Sequence, residues 1–334
     1  MDGNNFTTLP EGLFENLTAL TRLWVSDNDI ASLPEGVFGG VAALRELYLS
    51  NNQIAKLPEG IFGGLTGLFT LRLDNNQLTT LSEGLFQGPS RLGALYLEDN
   101  LLEVLPEGTF DGLAELRWLE LSNNELLTLP EDIFRDLTSL FSLELSNNEN
   151  LVLPEEVFQG LTDLEWLWLD NNAFSSLPEG LFANLSALYW LFLNNNELVT
   201  LPAGVFEGLT HLYGLYLSEN ALSELPERVF QGLTDLYYLY LQDNDLNSLP
   251  DSIFQNLTDL RRLDLSGNCL ETAPVTPTEV TVYAIQDVTK CFPAADTLVS
   301  GARPSTAIPP FAAAINLAAA AAGAWAILSS FRRA

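Results

Sequence analysis

Histidine, methionine, cysteine and basic residues are scarce in this chain: one His, one Met, two Cys, and 14 Lys and Arg against 44 Asp and Glu in 334 residues. Each scarcity removes a class of function. His211 is the single histidine, no Ser or Cys carries a motif that pairs with it, and no phosphate loop, metal-binding helix or nucleophile elbow occurs. No catalytic residue, metal site or cofactor is therefore assigned, and the chain reads as a non-enzyme. The net charge of -30 arises because bases are few, with only 17% of residues charged. Such a balance repels phosphate backbones and anionic lipid, which argues against nucleic acid and against electrostatic docking on a membrane, while permitting a cationic protein partner. Cys269 and Cys291 are too few for a disulfide scaffold and lack the companions of a zinc site. Both fall just past the regular part of the chain, where one bridge or two free thiols fit; a bridge implies an oxidising compartment.

What is abundant is repetition. Asparagine recurs every 24 residues from Asn28 through Asn52, Asn76 and onward to Asn268, and phenylalanine keeps the same step from Phe14 to Phe254. A fixed period carrying LxxLxLxxN is the leucine-rich-repeat signature. In "LYWLFLNNN", Leu191 and Leu193 alternate with Trp190, Phe192 and Asn194, so a short strand buries one face and turns the other outward. One unit cannot bury its leucines alone, whereas stacked units share a continuous core. The asparagine column is read as structural, capping backbone groups where the chain turns inward. Leu-Pro-Glu-Gly then breaks helix and strand alike. Glutamates Glu11, Glu35, Glu59, Glu83 and Glu107 recur with the same phase, forming a solvated convex stripe rather than catalytic carboxyl pairs. Two departures read as tolerated drift. Asn150 stands where other repeats place Leu, Ile or Phe, with Leu151 as its substitute, and Ser82 replaces a proline ahead of the irregular stretch around Pro89.

The stretch "LPEGVFGGVAALRELYLSNNQIAK" resembles the 24-residue extracellular leucine-rich repeat of Toll-like receptors, variable lymphocyte receptors and bacterial surface proteins, over residues 4 to about 272. The resemblance implies an α/β solenoid curved as a horseshoe, with a parallel sheet on its concave face and short turns or 3-10 segments on its convex face. It also implies capped ends, yet the chain opens "MDGNNFTTLPEG" on the tail of a repeat, so a cap and leader are expected upstream. The family's usual C-terminal cap carries more cysteines than this chain offers.

Three regions are expected: the solenoid over 1–272, a cap and Pro/Thr/Ala linker over 273–308, and an apolar helix over 309–334. A strand is expected around Val280 to Ile285. Phe311 to Phe331 carries no charge and is followed by Arg332 and Arg333, the pattern of a bilayer span with a cytoplasmic C-terminus and external repeats. An internal helix of a soluble domain is the plain alternative. A bacterial sorting signal or a glycosylphosphatidylinositol signal after Ser300-Gly301-Ala302 also fits the tail. Asn5, Asn16, Asn184 and Asn256 open N-x-Ser/Thr sequons, available for glycosylation in a secretory route, although three of them are ordinary variants of the repeat.

Aromatic residues gather in the outward columns of the strands. The column between the paired leucines reads Trp24, Tyr48, Arg72, Tyr96, Glu120, Glu144, Trp168, Phe192, Tyr216, Tyr240 and Asp264. The column before it adds Trp118, Trp166, Trp190 and Tyr238, and the next adds Phe69, Phe141, Tyr189, Tyr213 and Tyr237, leaving Trp325 and Tyr283 elsewhere. General strand preference would spread them evenly, but they crowd between Trp166 and Tyr240. Trp118, Trp166, Trp168, Tyr189, Trp190, Phe192, Tyr213, Tyr216, Tyr237, Tyr238 and Tyr240 are therefore the candidate ligand-binding residues of a continuous concave surface. Glu165, Asp170, Glu219 and Asp243 flank it as groups for hydroxyls or a cationic peptide, and Arg22, Arg45, Arg117, Arg261 and Arg262 as polar rims.

The reading is a membrane-anchored extracytoplasmic recognition protein that takes a protein or peptide ligand, with a glycan as the other ligand class. The alternatives are surface adhesion or structure through glycan or homotypic contacts, and a tail-anchored cytosolic scaffold. Oligomeric state is left open.

Overall fold

The computed structural model describes residues 1–272, 274–277 and 280–283, all inside the first of two compact units, Met1–Phe292. Twelve three-residue strands punctuate it: β1 (Arg22–Trp24), β2 (Glu46–Tyr48), β3 (Thr70–Arg72), β4 (Ala94–Tyr96), β5 (Trp118–Glu120), β6 (Ser142–Glu144), β7 (Trp166–Trp168), β8 (Trp190–Phe192), β9 (Gly214–Tyr216), β10 (Tyr238–Tyr240), β11 (Arg262–Asp264) and β12 (Thr281–Tyr283). They form one parallel sheet in chain order. From β1 to β11 the register advances by one repeat at each step, so Leu23 pairs with Leu47 and Leu239 with Leu263. The middle leucine of each of these strands is buried and its neighbours point the other way, as the period-two pleat requires.

Behind the sheet, the leucines meet a second buried column, Phe14 to Phe254, whose rings stack on one another. Their centroids stand 6.1 to 6.4 Å apart, whereas parallel strands are spaced about 4.8 Å apart. The phenylalanine side of the core is thus longer per repeat than the sheet side, so the sheet lies on the inside of a curve. This is the physical origin of the concave face.

The asparagine column holds adjacent turns together. Asn76 Nδ2 donates to the carbonyls of Leu73 and Asp74 in its own repeat at 3.0 and 3.1 Å and of Leu49 in the preceding one at 3.0 Å. Its Oδ1 accepts from Ile54 N–H at 3.0 Å, so one side chain serves four backbone groups that the short strands leave without ladder partners. The residue before each asparagine from Asn28 to Asn244 sits in the left-handed region, with φ from 52 to 59° at Asp27, Asn51, Asn75, Asp99, Asn123, Asn147, Asn171, Asn195, Glu219 and Asp243, and Gly267 before Asn268 stands at 69°. Asp and Asn tolerate that conformation; Glu219 is the exception in the column.

The convex side takes the first of the two expected forms, short turns rather than 3-10 segments. Its hydrogen bonds are separate i to i+3 turns, such as Val37 N–H to Pro34 O, Gly39 N–H to Gly36 O and Val41 N–H to Phe38 O. They do not run consecutively, so no 3-10 segment forms, and no helix occurs among the described residues. The prolines and glycines that punctuate each repeat explain this, because they interrupt a run of helical bonds before it can propagate. The α component of the expected class therefore rests on the tail alone.

The drift positions behave as expected. Leu151 is buried while Asn150 is exposed. Around Pro89, Phe86 and Leu92 stay buried, and Pro89 O accepts from Leu92 N–H at 2.9 Å as in other turns. β12 pairs with β11 through Arg262↔Thr281, Leu263↔Val282 and Asp264↔Tyr283, a step of nineteen residues in place of twenty-four. Tyr283 therefore joins the column that ends at Asp264 in the sequence reading, a correction caused by the shortened last turn. Cys269 is disulfide-bonded; Cys291 lies outside the described residues, as do the linker and the apolar stretch 311–331. Among the described residues no helix is long and apolar enough to cross a membrane.

Candidate functional site

The concave face has two halves of different chemistry. From β7 to β10 the outward positions carry rings that stack from strand to strand. In the column between the leucines, Trp168 and Phe192 lie 5.4 Å apart and 3° from parallel, Phe192 and Tyr216 4.6 Å apart, and Tyr216 and Tyr240 4.7 Å apart. In the outermost column Tyr189 stacks on Tyr213 at 4.8 Å and Tyr213 on Tyr237 at 5.1 Å. The column between them is interrupted by Gly214, which makes it possible. A Cβ on Gly214 would stand 2.1 Å from Cζ3 of Trp190, so the indole lies over the glycine and reaches Tyr238 two strands away, at 5.9 Å. Trp190 also meets Tyr189 and Tyr213 edge-on, and Trp166 stacks on Trp168 at 5.4 Å.

Ten of the eleven candidate rings are thereby joined into one plate. Trp118 stands apart, touching Phe141 at 6.2 Å, with Ser142 in register between it and Trp166. The plate also differs from a row of free rings. Most members are half-buried by one another, Phe192 is only 8% exposed, and Tyr189, at 37%, is the most open. Near-parallel rings stacked across the strands spend their faces on each other and leave edges to solvent. Phe192 is thus a support for its neighbours, which corrects its reading as a contact residue. Burial, followed by the neighbouring Tyr240 and Tyr238, pushes the Tyr216 hydroxyl well above the ordinary phenol range.

From β3 to β6 the same face is largely polar and acidic, Asp170 following β7 at its edge. Arg72 donates through Nε to Asp74 Oδ1 at 2.8 Å and through Nη2 to Glu98 Oε1 at 3.2 Å, and its guanidinium lies 4.4 Å from the centre of the Tyr96 ring. Burial, then the charge of Asp74, pushes Glu98 up to about 7, against a partly compensating pull from Arg72. Glu98 Oε2 is buried without a hydrogen-bond partner. Glu120 and Glu144 face each other in register on β5 and β6. Burial and then the Glu144 charge drive Glu120 well above the usual carboxyl range, with a side-chain hydrogen bond to Glu144 acting in the same direction. Asp170 is pushed up to about 6 by burial, although Ser146 Oγ donates to it at 2.8 Å.

The flanking residues divide. Glu165 is half-buried and its carboxyl is raised by burial and by Asp163, whereas Asp170 is engaged with Ser146 and Asn171. Arg22 pairs with Glu46 at 3.0 Å, Arg261 is spent on the carbonyls of Thr258 and Leu260, and Arg262 hydrogen-bonds Tyr240. Arg45 and Arg117 are exposed, as are the sequon residues Asn5, Asn16, Asn184 and Asn256. His211 is exposed beside the Ser186 carbonyl and the Thr210 hydroxyl.

The family pattern described as leucine rich repeat matches residues 1–54, 43–102, 90–149, 142–198, 186–246 and 234–275. No curated protein matches the chain. Among solved structures, a chain of the Drosophila Toll–Spatzle complex is 30% identical with a TM-score of 0.75, covering 79% of this chain and 35% of its own. A leucine-rich-repeat protein of Leptospira interrogans is 30% identical with a TM-score of 0.60, over 80% of this chain and 71% of its own. A chain from an octameric assembly of Latrophilin 3, Unc5D and the FLRT2 repeats is 26% identical, TM-score 0.68, over 84% and 87%. A chain of the complex of TLR13 with single-stranded RNA is 26% identical, TM-score 0.68, covering 80% of this chain and 43% of its own. This chain thus spans about a third of the matched chain in the Toll–Spatzle complex.

Proposed function

Because the chain belongs to the leucine-rich-repeat family, we propose that it is a non-enzymatic recognition protein of the cell surface that binds a protein or peptide ligand on the concave face between Trp166 and Tyr240. The carrying observation is the ring plate. A contiguous set of Trp and Tyr side chains, each fixed by its neighbours, offers rigid apolar area at small entropic cost. Ring faces are what sugars stack on, and here they are occupied by other rings, so the exposed edges and hydroxyls favour a protein over a glycan. The charge of -30 and the acidic half of the face work against a nucleic acid, although RNA accompanies TLR13 in its complex.

Similarity to a chain of the Toll–Spatzle complex and to the assembly with FLRT2 supports placing the repeats outside the cell. The bridged Cys269 agrees with an oxidising compartment. Anchoring through residues 311–331 remains part of the proposal, resting on their sequence. An adhesive role would use the same plate against a matrix protein or a second copy. The test is binding of the full chain, and of its Trp166→Ser/Tyr189→Ser variant, to arrayed secreted and surface proteins, glycans and single-stranded RNA. A protein ligand lost in the variant is expected. Binding confined to glycans or RNA, or unchanged in the variant, overturns the reading. Surface biotinylation of cells expressing the C-terminally tagged chain should label the repeats and leave the tag protected.

A further inference from the structure

The boundary between the two halves of the concave face carries more information than the plate alone. On β6 and β7, Glu144 stands in register with Trp168, and on β5 Glu120 stands in register with Glu144. The face therefore changes from a carboxyl pair to a ring stack across one strand spacing. On either side of the pair lie Glu98 and Asp170, each electrostatically linked to it. Arg72, on the far side of Glu98, already donates to Asp74 and Glu98 and lies over Tyr96. The sheet thus presents an acidic step directly beside an apolar plate.

We propose that this step is where the ligand is anchored: a short segment of the partner protein lays an arginine or lysine side chain over Glu120 and Glu144, and an adjoining apolar or aromatic side chain packs against the exposed edges of Trp166 and Trp168. The inference deepens the recognition reading and depends on it. Charge complementarity selects the occupant, because carboxyls crowded on neighbouring strands repel one another and a guanidinium or ammonium relieves that repulsion. A guanidinium suits the place best, since it is planar, bonds two carboxyl oxygens at once and stacks on indole. Because Glu120 and Glu144 stand in register on neighbouring strands, any proton that Glu120 takes up to relieve their repulsion leaves to solvent when the cation arrives. The incoming positive charge replaces the one released, so the pair keeps its charge balance. Acid therefore competes with the ligand, and binding weakens as pH falls. The titratable groups facing the pair in this competition are Tyr96, in register with Glu120, and Glu98, Arg72 and Asp170.

The experiment is selection of short random peptides, displayed on a carrier, against the full chain at neutral pH, followed by titration of the enriched peptides against variants. Enriched sequences should carry Arg or Lys beside an aliphatic or aromatic residue. Their affinity should fall about tenfold or more in Glu120→Gln/Glu144→Gln and in Trp166→Ser, with melting curves checking that both variants stay folded. Enrichment of peptides lacking a cation, or binding unaffected by the double glutamine variant, overturns the cation site. If Trp166→Ser still weakens those peptides, the recognition reading of the plate survives; if neither variant matters, that reading falls with it. Enrichment of nothing overturns a linear cationic segment as the ligand.

Discussion

Glu144 and Trp168 stand opposite each other on adjacent strands, and between them the concave face passes from carboxyls to rings. Neither residue owes its place to its own local sequence alone. Each is held outward by the burial of Leu143, Leu145, Leu167 and Leu169, so chemistry can vary along the column while the core does not.

The first prediction concerns acid. Glu98 has a folded value of about 7 against an ordinary 4.5, so the folded chain binds more protons than the unfolded one between those limits. Stability is then fully present below about pH 4.5 and is lost as pH rises to about 7. Asp170, raised to about 6, and the raised Glu120 act in the same direction. Thermal melts from pH 4.5 to 8 should show a falling midpoint. Glu98→Gln should flatten part of that fall, raising stability at pH 8 by on the order of 2 kcal/mol and by nothing comparable at pH 4.5. A variant that melts like the parent at both values refutes the assignment.

Gly214 makes the second. An alanine there would drive its methyl into the Trp190 indole. Gly214→Ala should displace the ring, break its stack with Tyr238 and change near-ultraviolet circular dichroism while the far-ultraviolet spectrum persists. Ligand binding should weaken more than stability does. Unchanged aromatic dichroism would show that the indole does not lie over the glycine.

How much of this was legible in the sequence can be judged from four places. The asparagine and phenylalanine columns, and the leucines between them, are written at a constant period, so core and outward faces could be assigned residue by residue. The bridge of Trp190 over Gly214 was not, because it joins residues on three strands and depends on a side chain that is missing. Glu120 and Glu144 were visible as consecutive members of a column, but the burial that raises Glu120 is a matter of packing rather than of spacing. Tyr283 escaped for a simpler reason, since the last turn drops five residues and carries it out of phase.

The third prediction tests the asparagine column. Asn124 Nδ2 donates to the carbonyls of Leu97, Leu121 and Ser122, and its Oδ1 accepts from Leu102 N–H. Asn124→Ala strands these buried groups, and each unsatisfied group costs about 1–3 kcal/mol. Chemical denaturation should show a loss of roughly 3 kcal/mol or more, with exchange of the Leu102 amide accelerated first. A loss below roughly 1 kcal/mol would mean that water replaces the side chain.

Glu219 supplies the fourth. It holds φ at 54° in a column otherwise given to Asp, Asn and, at position 267, Gly. Glu219→Asn should stabilise the chain by about 0.5–1 kcal/mol by relieving left-handed strain, read as a higher melting temperature. A neutral or negative shift would show that the Glu219 side chain makes a compensating contact.

The asparagine bonds also bear on the length of the molecule. Each Asn124-type side chain reaches backbone groups 22 and 27 residues away, distances fixed by one period, and the phenylalanine stack and strand register obey the same spacing. Insertion or removal of a whole 24-residue unit inside the array would leave every such partnership intact, since each turn meets a neighbour of the same kind. The number of turns is therefore a quantity the core does not select. It can be set by the breadth of the ligand, and a family of such chains can widen or narrow its grip without redesigning what holds it together.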